Sequence, residues 1–106
     1  MRRVLGEEHP ETLTAINNLA LTLSAQGELP RARELYERVL EVRRRVLGEE
    51  HPDTLLSINN LAETLRAQGE LAGARELQER ALDGMRRVFG EEHPDTLRAM
   101  DNLGRR

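Results

Sequence analysis

"GEEHPDTL" occupies residues 48–55 and recurs unchanged at residues 90–97, and "GEEHPETL" stands at residues 6–13. The octet is either a chemical site written three times or a structural corner written three times. A Gly that follows a helical pattern and a Pro shortly after it mark a boundary between helices. Gly takes the left-handed conformation that ends a helix, and Pro opens the next one, where its missing N–H costs nothing. Arg43, Arg44 and Arg45 precede Gly48 and suit the negative end of a helix. Asp53 follows Pro52 and suits the positive end of the next, and His51 is placed to cap it.

The octet returns with a period of 42 residues. Residues 6–47 and 48–89 agree at roughly 29 positions, a self-similarity that signals a solenoid. The third copy, "GEEHPDTLRAMDNLGRR", fills residues 90–106, and "MRRVL" at 1–5 matches the end of a unit, "RRRVL" at 43–47. The chain therefore reads as one repeat domain: 1–5 the tail of a preceding second helix, 6–47 repeat 1, 48–89 repeat 2, and 90–106 a truncated repeat 3.

Inside a unit, "AQGEL" separates two helical patterns. The first, from about Pro10 to Ala25, carries Leu13, Ile16, Leu19, Ala20 and Leu23 as an apolar stripe of helical period. The second, from about Pro30 to Leu47, carries Ala32, Leu35, Tyr36, Val39, Val42 and Val46 on one side. Each unit is predicted to be a helical hairpin, and the fold class all-α. Composition agrees: 38% hydrophobic and 33% charged residues, with Tyr36 and Phe89 the sole aromatics, suit helices better than a β-sandwich.

Without cysteine there is neither a disulfide framework nor a thiolate metal site, which fits a reducing cytoplasm. A formal net charge of −3 argues against nucleic acid or an anionic membrane as the main partner. No apolar run reaches the roughly 20 residues that span a bilayer. The arginine runs 43–45 and 86–87 invite a nucleic-acid reading, but acidic corners follow them at once, so they read as solvated helix ends. His9, His51 and His93 each have two Glu nearby. Equivalent points of stacked repeats lie about 10 Å apart, too far to share one ion, so no metal, cofactor or catalytic group is expected.

These segments resemble the tetratricopeptide repeat, in the 42-residue variety of kinesin light chains. The matching stretches are "INNLALTLSAQGELPRARELYERVLEVRRRVLGEEHPDT" and "INNLAETLRAQGELAGARELQERALDGMRRVFGEEHPDT". The family's small residues fall at Ala20, Gly27 and Ala32, then at Ala62, Gly69 and Ala74, with Tyr36 at its aromatic position. Ile16 and Ile58 depart from the family where an aromatic is frequent, and Gln78 replaces Tyr36 in the second unit. The resemblance implies a right-handed superhelix whose first helices line a concave groove for peptides of partner proteins. By that layout the groove residues are Thr14, Asn17, Asn18, Leu21 and Ser24, then Leu56, Asn59, Asn60, Glu63 and Arg66, then Arg98, Asp101, Asn102 and Arg105.

Asn is a poor helix former, so a doubled Asn in mid-helix needs a reason. One reason is a bond to the neighbouring repeat. The other is contact with a peptide backbone, whose N–H and C=O an amide can pair together. Thr14 becomes Leu56, Leu21 becomes Glu63 and Ser24 becomes Arg66, so the face is mixed in character and names no charged ligand class.

The third copy stops inside its first helix, leaving Leu97, Met100 and Leu103 without a second helix to cover them. Such ends favour association. Two readings follow. The first is a non-enzymatic protein-interaction module that binds a peptide or partner protein in the groove. The second is a structural or regulatory repeat segment of a larger multidomain bacterial protein, self-associating through its ends as a homo-oligomer.

Overall fold

The computed structural model describes residues 9–104, and side chains as far as residue 101. Among the described residues five helices follow one another: α1 (Pro10–Ala25), α2 (Leu29–Leu47), α3 (Pro52–Ala67), α4 (Leu71–Phe89) and α5 (Pro94–Gly104). No strand occurs among the described residues. Each helix packs on its sequence neighbours, α1 on α2, α2 on α3, α3 on α4 and α4 on α5. This is an all-α helix-hairpin solenoid, with extents of 43 × 30 × 19 Å.

The octet is the corner between hairpins. Gly48 closes α2 at φ 99° and ψ 162°, and Gly90 closes α4 at φ 94° and ψ 162°. The positive φ is the expected one, but this ψ lies outside the left-handed helical well, in an extended region open essentially to Gly alone. Each first helix then begins with the same cap: Nδ1 of His9, His51 and His93 accepts the N–H of Glu11, Asp53 and Asp95, at 3.1, 3.0 and 3.1 Å. Histidine takes the role usual for Ser, Thr, Asp or Asn because its ring nitrogen reaches the second free amide of the first turn.

The turns inside the hairpins close differently. Glu28 N–H donates to the Leu23 carbonyl at 2.8 Å and Gly27 N–H to the Ser24 carbonyl at 3.0 Å, with Gly27 at φ 85°. Glu70 and Gly69 repeat the pattern on Leu65 and Arg66. This double closure needs a positive φ at the residue after the cap, which explains the Gly in "AQGEL".

The core runs through the stack. Ala20, Ala32, Ala62 and Ala74 are buried, and their short side chains let neighbouring helices approach closely. Tyr36, Leu40, Leu55, Ile58, Leu61, Leu65, Leu82 and Met85 fill the space between them. Leu13, Val39 and Val42, with Ile16 beside them, form a smaller cluster inside the first hairpin.

Two residues of the expected apolar stripes lie elsewhere. Leu19 is 49% exposed and Val46 is 49% exposed. For Leu19 the reason is position in the stack: its counterpart Leu61 is 7% exposed because α3 lies between α2 and α4, whereas α1 packs broadly on α2 alone among the described helices. Thr54, Ser57 and Thr64 are buried in α3, while Ala15 and Thr22 on the same face of α1 are exposed. Val46 stands in the last turn of α2, at the rim of the corner.

Candidate partner-binding groove

The first helices α1, α3 and α5 carry the residues expected to face a partner. Thr14, Asn18, Leu21, Leu56, Glu63, Arg98 and Asp101 are exposed, and Asn17, Ser24, Asn59, Asn60 and Arg66 are half-buried. The side chains of Asn102 and Leu103, and all of Arg105, lie outside the described residues. Of the residues named for self-association, Leu97 is 50% exposed and Met100 is half-buried against the core.

The doubled asparagines meet across the repeat boundary. Asn60 on α3 donates through Nδ2 to Oδ1 of Asn17 on α1, at 3.3 Å. The second Asn of one unit thus reaches the first Asn of the preceding unit. The bond consumes one donor of Asn60 and one lone pair of Asn17. It leaves the two Asn17 side-chain N–H groups and the Asn60 side-chain oxygen outside this bond.

Around this pair the face is uneven. Leu21 is 53% exposed and Leu56 is 47% exposed, so it offers aliphatic surface on both helices. Glu63 and Arg66 pair with each other at 3.5 Å, and Arg98 pairs with Asp95 at 3.7 Å. The charges that distinguish one unit from the next are therefore partly neutralised within their own helices. Such exposed pairs contribute little energy, about 0–1 kcal/mol each.

The arginines of the corners do more than finish helices. Arg43 is half-buried and donates through Nη1 to the Asp53 carbonyl at 3.2 Å and to Ser57 Oγ at 2.8 Å. Arg44 meets Glu49 at 2.8 Å, and Arg87 of α4 reaches back to Glu50 at 2.6 Å while also bonding Asp83. At the opposite end of the hairpins Arg33 holds Glu37 and Glu70, both at 3.1 Å, and Gln68 at 3.3 Å. The bonds to Glu37 and then Glu70 raise the Arg33 pKa, and those to Asp83 and then Glu50 raise that of Arg87.

At residues 48–55 the two Glu of the octet are thus ion-pair partners of the second helices. Among the described residues, no group of three or more His, Asp or Glu is arranged to hold a metal ion. Sequence reading missed these stitches, although opposite charges recur 37 residues apart, Arg33 with Glu70 and Glu50 with Arg87. It also missed a cavity of 260 Å³ at the first corner, between the start of α1, the end of α2 and the start of α3.

The sequence matches the tetratricopeptide repeat family over residues 1–45, 13–83 and 54–106, overlapping windows that together span the whole chain. Among solved structures, the nearly identical TPR-like repeats of a Podosopora anserina protein described as a kinesin light chain superpose with a TM-score of 0.89 at 33% identity. That match covers 95% of this chain and 48% of the other. A point variant of the same repeats gives a TM-score of 0.88, also at 33% identity, over 95% of this chain and 48% of that one. BtubC (BKLC) of P. vanneervenii gives 0.84 at 29% identity, over 92% of this chain and 39% of that one. The chain therefore spans less than half the length of these relatives. No curated protein matches it. The recurrent corners, the stacked hairpins and these likenesses agree, and the chain belongs to the tetratricopeptide repeat family, with repeats of the kinesin-light-chain type.

Proposed function

We propose that this chain is a non-enzymatic protein-interaction module that holds an extended segment of a partner protein along the exposed faces of α1, α3 and α5. Tetratricopeptide repeats are in general protein-interaction modules, which supports the reading at family level. The observation that carries it further is the Asn60–Asn17 bond at 3.3 Å. It fixes two amides whose remaining donors and acceptor are of the kind that pairs with a peptide unit without regard to side-chain identity, while exposed Leu21 and Leu56 supply apolar surface on either helix. The neutralised Glu63–Arg66 pair adds no strong charge preference.

Selection from a displayed library of short peptides, followed by calorimetric titration of the winners, tests this. Asn17→Ala, Asn60→Ala and Leu21→Glu should each weaken a selected peptide by about tenfold, the worth of one or two desolvated hydrogen bonds or an apolar contact. A winning peptide whose affinity ignores all three substitutions would sink the reading.

A second reading has its own observation. Leu19 on α1 and Leu97 on α5 are each about half exposed, on faces that α3 buries between its neighbours. Those faces fit further repeats, from the same protein or from another copy. Light-scattering mass across a dilution series separates the two, since Leu19→Glu should abolish any concentration-dependent assembly and leave peptide titrations unchanged.

A further inference from the structure

The two corners differ where their octets do not. At the second corner the Phe89 ring lies on the His93 imidazole, with centroids 4.5 Å apart and planes inclined by 22°. At the first corner the residue equivalent to Phe89 is Leu47, and the imidazole equivalent to His93 is that of His51. His51 is exposed where His93 is half-buried. Beside His51 opens the cavity of 260 Å³, with apolar walls from Pro10, Leu13, Val46 and Leu47. Thr14 lines it as well, and the equivalent residue in the next unit is the longer Leu56.

We propose that this cavity is an anchor site for one aromatic side chain, Phe or Tyr, of a partner protein, seated on His51 as Phe89 is seated on His93. The proposal rests on the interaction-module reading and adds the class of residue that the module grips. Shape argues for a ring, because the same chain places a ring at the same point of its second corner. Offset or stacked aromatic contact contributes beyond simple burial, so an aromatic side chain gains more there than an aliphatic one.

Charge argues for a neutral occupant. The polar rim consists of Arg43, His51 and Asp53. That lining carries one positive and one negative side chain, and Arg43 Nη1 is already held by the Asp53 carbonyl and Ser57 Oγ. The His51 Nδ1 is occupied by the Asp53 N–H. A charged side chain entering the cavity would shed water and meet no net opposite charge, whereas a ring meets apolar walls and an imidazole face. Val46 and Leu47, both exposed, would be covered by it.

Methyl and imidazole NMR shifts during titration with N-acetyl-phenylalanine amide, and separately with N-acetyl-leucine amide, test the proposal on the intact chain. Saturable shifts confined to Thr14, Val46, Leu47 and His51, with the aromatic probe binding about fivefold more tightly than the aliphatic one, are expected. Leu47→Phe should set a ring on His51 as Phe89 sits on His93, occupy the cavity, keep the helical circular dichroism, and remove the shifts. Its effect on peptides selected through Asn17 and Asn60 separates failure of the anchor from failure of the groove. Equal shifts with both probes, shifts scattered over the surface, or aromatic binding that survives Leu47→Phe would overturn the anchor site while leaving the groove reading standing.

Discussion

The two complete hairpins share corners, caps and turns, yet they pack their interiors by different means. In the first, Leu13 lies against Val39 and Val42. In the second, the equivalents of those valines are Ala81 and Gly84, and the missing volume is taken up by Leu55, whose Cδ2 lies 2.7 Å from the place a Gly84 Cβ would occupy. Leu13 and Leu55 are the same residue at the same step of the repeat. One is met by branched side chains and the other leans onto a bare helix. The comparison teaches that identity along a repeat preserves the backbone corner, while volume is balanced separately within each unit.

The largest test of this difference is Leu55→Ala. Leu55 is 2% exposed, and the alanine and glycine facing it offer nothing that can collapse into the gap. Truncation should cost about 3 kcal/mol, in the range of buried leucines whose cavities persist. Leu13→Ala should cost less, because Val39, Val42 and Ile16 can close on the space. Urea unfolding of both variants checks the order. Equal losses would mean that the two interiors are equivalent after all.

Gly84→Ala reads the same contact from the other side. Alanine in a helix interior gains about 1 kcal/mol in propensity, but overpacking a filled core costs about 1–3 kcal/mol. The clash is with the end of a buried leucine, so the net should be a loss of about 1 kcal/mol. Combining it with Leu55→Val should recover much of that loss, a coupling between neighbours that independent sites do not show. Strict additivity of the two changes would count against a shared volume.

What could be read in the sequence was what local chemistry determines. Gly48, Pro52 and His51 announced the corner because a helix end, a helix start and a cap each demand particular residues within a few positions. The helices followed from the same signals and from periodicity. Leu19 and Leu61 could not be told apart, since their difference is the presence of α2 on one side of α3. The doubled asparagines pointed to a purpose, but the pairing of Asn17 with Asn60 rather than with its direct counterpart Asn59 depends on the offset between stacked helices. The first-corner cavity was invisible for the opposite reason: Leu47 is ordinary alone, and acquires meaning only beside Phe89 stacked on His93.

A third test concerns the position where the hairpins differ in chemistry as well as size. Tyr36 is buried, and burial raises its pKa above the usual value. A phenol whose pKa is higher folded than unfolded binds its proton more tightly in the native state. Its contribution is therefore intact below the unfolded pKa of about 10 and is lost as pH rises through the folded value. Stability measured in urea should fall above about pH 10, and Tyr36→Phe should flatten that decline. Gln78, its counterpart, has no proton to lose, so Gln78→Leu should leave the alkaline slope unchanged. An identical slope in the Tyr36→Phe chain would place the alkaline loss elsewhere.

The smallest expected effect has the opposite sign and comes from the other glycine of α4. Gly73 lies in the first turn, its counterpart in α2 is Arg31, and an added Cβ would meet only Leu65 Cδ1 at 3.5 Å, an ordinary contact. Nothing there has to move. Gly73→Ala should therefore stabilise the chain by about 0.5 kcal/mol, through lower freedom in the unfolded state and better helix propensity. Gly84→Ala makes the same chemical change in the same helix and should do the reverse. If both substitutions stabilise, propensity dominates and Leu55 yields easily to a methyl group. If both destabilise, α4 tolerates no added volume along its length, and the contrast between the hairpins belongs to the whole helix rather than to the Leu55–Gly84 contact.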